Sequence, residues 1–569
     1  MQEKIWNIKE VDDLSEVIYL ADSLNVSEPL AKLLVMRGIK TFSQAKSFFR
    51  PSLDSLYDPF IMDGMSLATQ RVIDALTNKQ KIVVYGDYDV DGTCSTALLV
   101  MFLKELGADV EYYIPNRVKE GYGITTLGID LAKSVNTSLM ISVDCGITAN
   151  EEVKYANSLG IDFIICDHHQ PKDQLPEALA ILDPLKPSCN YPFKYLSGAG
   201  VAFKLAQGIS DRIGKKDLPL KYLDLVALAG AADIVPLIDE NRILVKEGID
   251  QINHSPRAGI ASLIRWSGME PGNLSSGHIV FTLAPRINAV GRLGDANIAV
   301  KLLMTTSSAE AENLAGILDH ENRERRKIDE DTLNAAISIV ENKIDLNDSL
   351  GIVLHEEGWH PGVIGIVASR LVEKFYRPTI MLTTIDGVAK GSARSISQFN
   401  MYDALKECED LLIHYGGHQA AAGLAVEIDK LGEFRERFNE IVREKFKNEE
   451  PKPYIDIDTK IRMAELTPKF RRIVDQFAPF GPGNLRPTFL SENVEIVGTP
   501  RLLSGKHIAF VIRQHGCEKV FDCIAFNFSE YWESLSTHRS KIDIVFGMDN
   551  MQRDGKIYPQ FRIKDIKIN

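Results

Sequence analysis

The chain has 569 residues, 45% of them hydrophobic and 25% charged, with a formal net charge of −13. That suits a soluble protein of about three or four domains, and no apolar run approaches the ~20 residues that a membrane-spanning helix needs. The charged opening "MQEKIWNIKEVDDL" is no signal peptide, and the seven scattered cysteines, with no C-x-x-C, fit reduced thiols in a cytoplasmic protein and speak against a zinc ribbon.

Residues 1–60 read as a helical region, with a helix start at Ser27 and apolar positions at Leu30, Leu33 and Leu34. From about 80 to 185 the pattern is repeated strand then helix. Strands are expected at 82–86, 110–114, 139–143, 163–166 and 179–182, which predicts a doubly wound, mainly parallel sheet. Helical segments follow to 305. Residues 307–343 predict one long charged helix, apolar at Leu314, Ile317, Leu318, Ile328 and Leu333, connecting two lobes across 306–348. A second α/β unit is expected over 349–450, ending in the linker-like "KNEEPKP". The remaining 451–569 turn β-rich, with strands at 494–497, 507–513, 520–526, 542–548 and 560–568. Five short strands suit an OB-like β-barrel, a common single-strand binder. Phe510, Phe526, Tyr531 and Trp532 are either its core or platforms for bases.

The chemistry starts at "VVYGDYDVDGTCSTALL", residues 83–99, where Asp87, Asp89 and Asp91 alternate before Gly92. An EF-hand would need a preceding helix and a Glu at loop position twelve. The preceding segment is a β-branched apolar run, and position twelve is Leu98. The order is strand, acidic turn, helix, and in open α/β sheets ligands sit at the carboxyl ends of strands. Asp144 follows "SLMISV", and Asp167-His168-His169 follow "DFIIC", so both groups fall on the same edge. Asp233 closes the apolar helix "LVALAGAAD" just before a proline. A carboxylate there opposes the helix dipole and needs a compensating cation. Taken singly, these residues could be a helix cap, core histidines and a turn residue. Together they form a hard-to-borderline ligand set that suits manganese or magnesium, and shared carboxylates can hold two ions ~3.5–4 Å apart for phosphoester hydrolysis. The acidic net charge argues only weakly against nucleic acid, because bound divalent ions reverse the local sign.

"GDYDVDG" (86–92), "DCG" (144–146), "DHH" (167–169) and "GAADIVP" (230–236) together resemble the DHH phosphoesterase superfamily, and "GGH" (416–418) resembles its DHH-associated domain. The fuller likeness is to the branch that degrades single-stranded DNA 5′→3′ in repair and recombination. It covers nearly the whole chain through "IPNRVKEGYG" (114–123), "LAPRINAVGRLGDA" (283–296), "GWHPGVIGIVASRL" (358–371), "GSARS" (391–395), "HYGGHQAAAG" (414–423) and "PFGPGN" (479–484). The resemblance implies a catalytic DHH domain over 61–305, a DHH-associated domain over 349–450 and an OB-fold over 451–569. It implies two manganese or magnesium ions on Asp89, Asp91, Asp144, His168 and Asp233, with Asp87 and His169 as ligands or their supporting partners. Single-stranded DNA is then the substrate, with a helicase and a single-strand-binding protein as partners.

Arg117, Arg286, Arg292, Arg370 and Arg394 sit among Gly, Ser or Asn residues, where backbone lets a phosphate approach and Arg can bind it bidentately. Taken singly, any of them could form a surface ion pair. With Ser392 and His418 they resemble the residues that hold the strand and its 5′ end. Two other readings stand beside the exonuclease. One is a DHH phosphoesterase acting on small or oligonucleotide substrates, which needs no β-barrel. The other is a non-catalytic DNA-binding scaffold, which needs no metal ligands.

Overall fold

The computed structural model describes residues 4–117, 120–346, 348–447, 449–537, 541–553 and 556–568. Val118 and Lys119, within the motif at 114–123, lie outside them.

The first lobe is built on five parallel strands in the spatial order Val110–Tyr113, Lys81–Tyr85, Thr137–Val143, Asp162–Cys166, Ala180–Leu182. Their β-branched runs are buried on both faces, as a parallel sheet sandwiched by helices requires. One face carries the buried helix Val90–Glu105 with Met65–Thr77 and Gly198–Arg212, and the other carries Thr126–Ser134 and Asn150–Ser158. Strand order reverses between Lys81–Tyr85 and Thr137–Val143, so the crevice for ligands opens at their carboxyl ends.

The helix Ser308–Lys343 runs for 36 residues, with Ser307 accepting a hydrogen bond from Glu310 N as its N-cap. Its first half packs Ala311, Leu314, Ala315 and Leu318 into the first lobe's core. Its second half packs Leu333, Ala336 and Val340 into the second lobe. That lobe is a mixed five-stranded sheet in the order Leu412–Gly417, Ala421–Glu427, Val388–Arg394, Thr379–Ile385, Ile352–His355, parallel only at the last pair.

At the C-terminal side, Thr488–Leu503 pairs with both His507–Gln514 and Ile542–Arg553. Phe521–Ala525 pairs with His507–Gln514 and Lys556–Ile568, and the last two strands pair with each other. Five strands thereby close into a barrel, and Thr459–Lys460 adds a short sixth along its rim. Closure removes the sheet edges that an open β-rich segment would expose.

The N-terminal region departs from the purely helical expectation. Ile5–Ile8 is a strand, parallel to Tyr454–Ile457. It was invisible because its partner lies so far along the chain, with Asn7 bonding Asp456 across 449 residues at 2.7 Å. The helices Leu14–Leu24, Glu28–Val35 and Phe42–Phe49 share the barrel's core rather than the first lobe's.

One buried ion pair, between the helices Gly198–Arg212 and Asp239–His254, ties the backbone of Tyr57 to the first lobe. Lys204 Nζ lies 2.6 Å from Glu240 Oε1, both side chains fully enclosed. Glu240 also accepts from Tyr57 N (2.9 Å) and Tyr191 Oη (2.7 Å), while Lys204 donates to Tyr57 O (3.0 Å). Each charged group is thus held by several partners at once, and losing one of the pair strands the other. We expect Lys204→Met to cost about 3–5 kcal/mol in urea denaturation. A loss under about 1 kcal/mol, the range of exposed pairs, would contradict this assignment.

Candidate metal centre and cation cluster

The acidic turn is held by the helices beside it. Asp89 caps Val90–Glu105 by accepting from Gly92 N (3.0 Å). Asp91 accepts from Gly198 N (2.6 Å) and Ala199 N (2.7 Å), at the positive end of the helix Gly198–Arg212. A Cβ at Gly198 would lie 2.7 Å from Asp144 Cβ, so only glycine permits this packing. Asp144 itself has φ +61, a left-handed conformation that turns its carboxylate into the crevice. Asp87 is buried, and its Oδ1 has no hydrogen-bond partner.

His168 is the hub. Its Nε2 lies 3.1 Å from Asp144 Oδ1, 3.7 Å from Asp233 Oδ2 and 3.8 Å from Asp91 Oδ2. Asp233 follows the last residue of the helix Leu223–Ala232, the unfavourable dipole end, as the sequence implied. The next residue, Ile234, takes φ +63, a strained conformation for a β-branched side chain, and leaves its side chain exposed. Asp167 serves the histidines: its Oδ1 accepts from His168 N (2.8 Å) and pairs with His169 Nδ1 (2.7 Å), and its Oδ2 accepts from Ile147 N (2.9 Å). That leaves His169 Nε2 facing the crevice, 3.5 Å from the hydroxyl of Tyr122, a residue the sequence reading passed over.

Three groups can each offer ligand atoms within 4.8 Å of one another: Asp87/Asp89/Asp144, Asp91/His168/Asp233 and Asp144/His168/His169. Electrostatics says the same. Burial, then repulsion from Asp89, raises Asp87 to about 8 and Asp91 to about 7. Asp233 rises to about 9 through burial, then Asp91 and Asp89. Burial and four neighbouring carboxylates push Asp144 well above its ordinary range. Burial lowers His168 to about 4, so its imidazole is neutral and able to ligate. Burial opposes charge on His169 too, but the Asp167 hydrogen bond overrides it and raises His169 to about 9. Carboxylates and a neutral imidazole around an unpartnered buried oxygen fit manganese or magnesium.

A second cluster faces this one. Arg117 stacks over Tyr88, 5.0 Å from the ring centroid, between the acidic turn's own residues. Arg292, in the last turn of the helix Ala284–Leu293, donates to Gly362 O at 3.1 Å and so reaches the other lobe. Arg394 ends the strand Val388–Arg394 and donates to Ser392 Oγ (3.0 Å) and Ala393 O (2.7 Å). The helix Pro361–Phe375 presses onto this pair, since a Cβ at Gly365 would lie 2.8 Å from Ser392 Oγ. Burial, then Arg117, Arg325 and Arg394, lowers Arg292 to about 10. Among the described residues none of Arg117, Arg292 and Arg394 forms an ion pair.

Two expected members are not brought into this cluster. Arg286 is buried and committed to Asp319 Oδ1 (3.0 Å) and Thr282 O (2.7 Å). Arg370 pairs with Asp329 Oδ2 at 3.1 Å. Both carboxylates lie on the linking helix, which makes these arginines joints between elements. His418 is exposed at the tip of the hairpin whose second strand places Ala421 opposite Arg394. Of the candidate base platforms, Phe510 is in the barrel core, Tyr531 and Trp532 pack partly against it, and Phe526 is exposed.

Comparison with known proteins agrees with this geometry. Residues 81–230 match the DHH family N-terminal domain, 334–444 the DHHA1 domain, and 457–565 the RecJ OB domain. The chain is 40% identical over 567 residues to the single-stranded-DNA-specific exonuclease RecJ of Bacillus subtilis, covering 99% of this chain and 71% of that protein. It is 35% identical to RecJ of Escherichia coli, covering 88% and 89%. The crystal structure of RecJ from Thermus thermophilus in complex with Mn2+ superposes with a TM-score of 0.83 at 30% identity, covering 99% of this chain and 80% of that one. A second Thermus thermophilus RecJ structure contains Mg2+, with a TM-score of 0.79 at 28% identity, covering 99% and 78%. No helix of the described residues is long and apolar enough to cross a membrane. With identity spread over nearly its full length and all three domain matches in order, the chain belongs to the RecJ family of DHH proteins.

Proposed function

We propose that this chain hydrolyses single-stranded DNA from its 5′ end to mononucleotides, in the cytoplasm, using two manganese or magnesium ions on Asp87, Asp89, Asp91, Asp144, His168 and Asp233. The carrying observation is the juxtaposition of two unfinished charge clusters in one cleft. Crowded carboxylates call for cations, and arginines without acids call for an anion. A phosphorylated strand end lying across both completes both. The bound ions would supply a water of lowered pKa and stabilise the phosphoryl oxygens. Asp144 Oδ1, 3.1 Å from His168 Nε2, links the group Asp87/Asp89/Asp144 to the group Asp91/His168/Asp233. Asp167 holds the His169 ring so that Nε2 can deliver its proton to the departing 3′ oxygen. Arg117, Arg292, Arg394 and Ser392 read the terminal phosphate, which sets direction, and His418 flanks them.

Restriction to single strands follows from the path beyond the metals. A cavity of about 1100 Å³ is lined by Ile234, next to Asp233 in the chain, by Phe281, which is 77% exposed, and by Phe480 and Arg486. Arg486 stacks over Phe480 at 4.5 Å and also lines a cavity of about 570 Å³ on the barrel, with Phe526, Arg562 and Lys564. Exposed rings alternating with guanidiniums bind unpaired bases at ~1–3 kcal/mol each, and a duplex keeps those base faces stacked inside. On this reading 61–305 performs catalysis, 306–348 spaces the lobes, 349–450 reads the end, and 1–60 with 451–569 hold the strand.

Removing Asp144 as Asp144→Ala should abolish cleavage in saturating manganese while the metal-free thermal midpoint changes little, because the like-charge repulsion that leaves offsets the strain of alanine at φ +61. Wild-type turnover in that variant would sink the ligand assignment.

The metal-free site also makes a pH-dependent demand. Asp87 and Asp233, at about 8 and about 9, exceed the unfolded value of 3.8. Between those limits the folded chain binds more protons than the unfolded one, so this part of its stability is lost as pH rises. The melting temperature without metal should therefore fall from about pH 6 to about pH 9, and manganese should raise it most at the upper end. A manganese effect that is equal at both pH values would place the ions elsewhere.

For direction, initial rates on strands with 5′-phosphate and 5′-hydroxyl ends are compared. Arg394→Ala should reduce the wild-type preference for the phosphate by roughly ten- to a hundredfold, the worth of a charged hydrogen bond. An unchanged ratio would remove Arg394 from end recognition.

A further inference from the structure

We infer that Arg325, on the helix joining the lobes, is a further specificity-determining residue that binds the 5′-terminal phosphate beside Arg117, Arg292 and Arg394. This rests on the end-recognition reading above. Arg325 lies in "ENRERRKIDE", residues 321–330, a charge run whose ordinary meaning is a solvated helix face. The structure separates it from its neighbours. Arg323, Arg326 and Lys327 are exposed, and Arg323 engages Asp319 at 3.2 Å. Arg325 is half-buried, and its Nε is enclosed without a hydrogen-bond partner. One terminal nitrogen donates to the neutral Asn322 Oδ1 at 3.2 Å. The carboxylate one turn along, Asp329, is engaged by Arg370 at 3.1 Å; its charge also favours the protonated form of Arg325, but among the described residues Arg325 forms no ion pair with it.

Its position gives this guanidinium a purpose. The helices Ala284–Leu293, Ser308–Lys343 and Pro361–Phe375 pack on one another where the lobes meet. Arg292 ends the first of them and reaches Gly362 in the third. Arg325, in the second, is close enough that its charge disfavours the protonated form of Arg292, as Arg117 and Arg394 also do. Arg292 therefore meets three other guanidiniums, and an anion bound there would offset their repulsion. A terminal phosphate carries more charge than an internal diester, and the terminal nitrogen of this planar fork that makes no hydrogen bond is left to meet it. The lobe-joining arginines are different: Arg286 and Arg370 are each already neutralised by a carboxylate.

The test compares Arg325→Gln with wild type on matched single strands bearing 5′-phosphate or 5′-hydroxyl, in saturating manganese. We expect kcat/KM on the phosphorylated strand to fall about tenfold or more, mostly through KM, and to change less than about twofold on the hydroxyl strand. Arg325→Lys, which keeps charge without the fork, should fall between the two. Lys327→Ala, which removes an exposed charge from the same helix, should leave the ratio untouched. Equal losses on both ends, or an unchanged ratio, would overturn the assignment. Should the glutamine variant fail to fold, the lysine variant decides alone, since a point charge cannot replace a planar donor fork. A wild-type ratio in it would overturn the proposal. A wild-type enzyme indifferent to the 5′-phosphate would overturn the end-recognition reading itself, whereas a preference that survives in the variants would remove only Arg325.

Discussion

Repulsion among carboxylates at one sheet edge is the constraint on which the rest of this molecule depends. Parallel strands send Asp87, Asp91, Asp144 and Asp167 to a common rim, and burial denies them the water that would screen them. The fold meets this with helix N-termini, backbone amides and a neutral imidazole. Asp91 receives two amide donors at the start of one helix, Asp89 caps another, and His168 sits among three carboxylates. Where those devices fall short, burial and mutual repulsion raise Asp87, Asp91, Asp144 and Asp233, so that these groups hold protons which a cation could displace.

The same logic, with the sign reversed, runs through the seam between the lobes. Arginines that have carboxylates act as joints, as Arg286 does with Asp319 and Arg370 with Asp329. Those without them gather where a phosphate would lie. The linking helix carries the carboxylates of both joints and also Arg325, so it sets the lobe spacing and borders the arginine cluster at once. A small-molecule phosphoesterase could use the same metal edge, but it would have no use for the apolar path that runs from Ile234 to the barrel.

What was legible in the sequence was local. A β-branched run followed by an acidic turn announces a strand end, and the structure brings three such ends together with Asp233 into one cluster of candidate ligands. The long helix declared itself by its apolar spacing, and the structure adds Ser307 as its cap. What was hidden depended on partners distant in sequence. No local signal separates Arg286, buried on Asp319, from Arg292, which faces the cleft, since both sit in the same glycine-bearing helix. Arg325 was masked by its charged neighbours. Phe510 and Phe526 look alike in the sequence, and only the barrel's inside and outside tell them apart. Ile5–Ile8 has too few residues for periodicity to register.

The pairing of Ile5–Ile8 with Tyr454–Ile457 has a consequence for how the molecule is made. On a ribosome the N-terminal strand and its three helices emerge first, yet the strand they pair with and the barrel they pack on come hundreds of residues later. At about 5–20 residues per second, the 449-residue gap is a wait of roughly 20–90 seconds. Through that time Leu20, Leu33 and Leu34, fully enclosed in the finished protein, can cover only one another, because the barrel that completes their core is still to be made. Both lobes are synthesised before the barrel exists, so the nascent chain carries an unfinished hydrophobic surface on these helices until the barrel strands arrive.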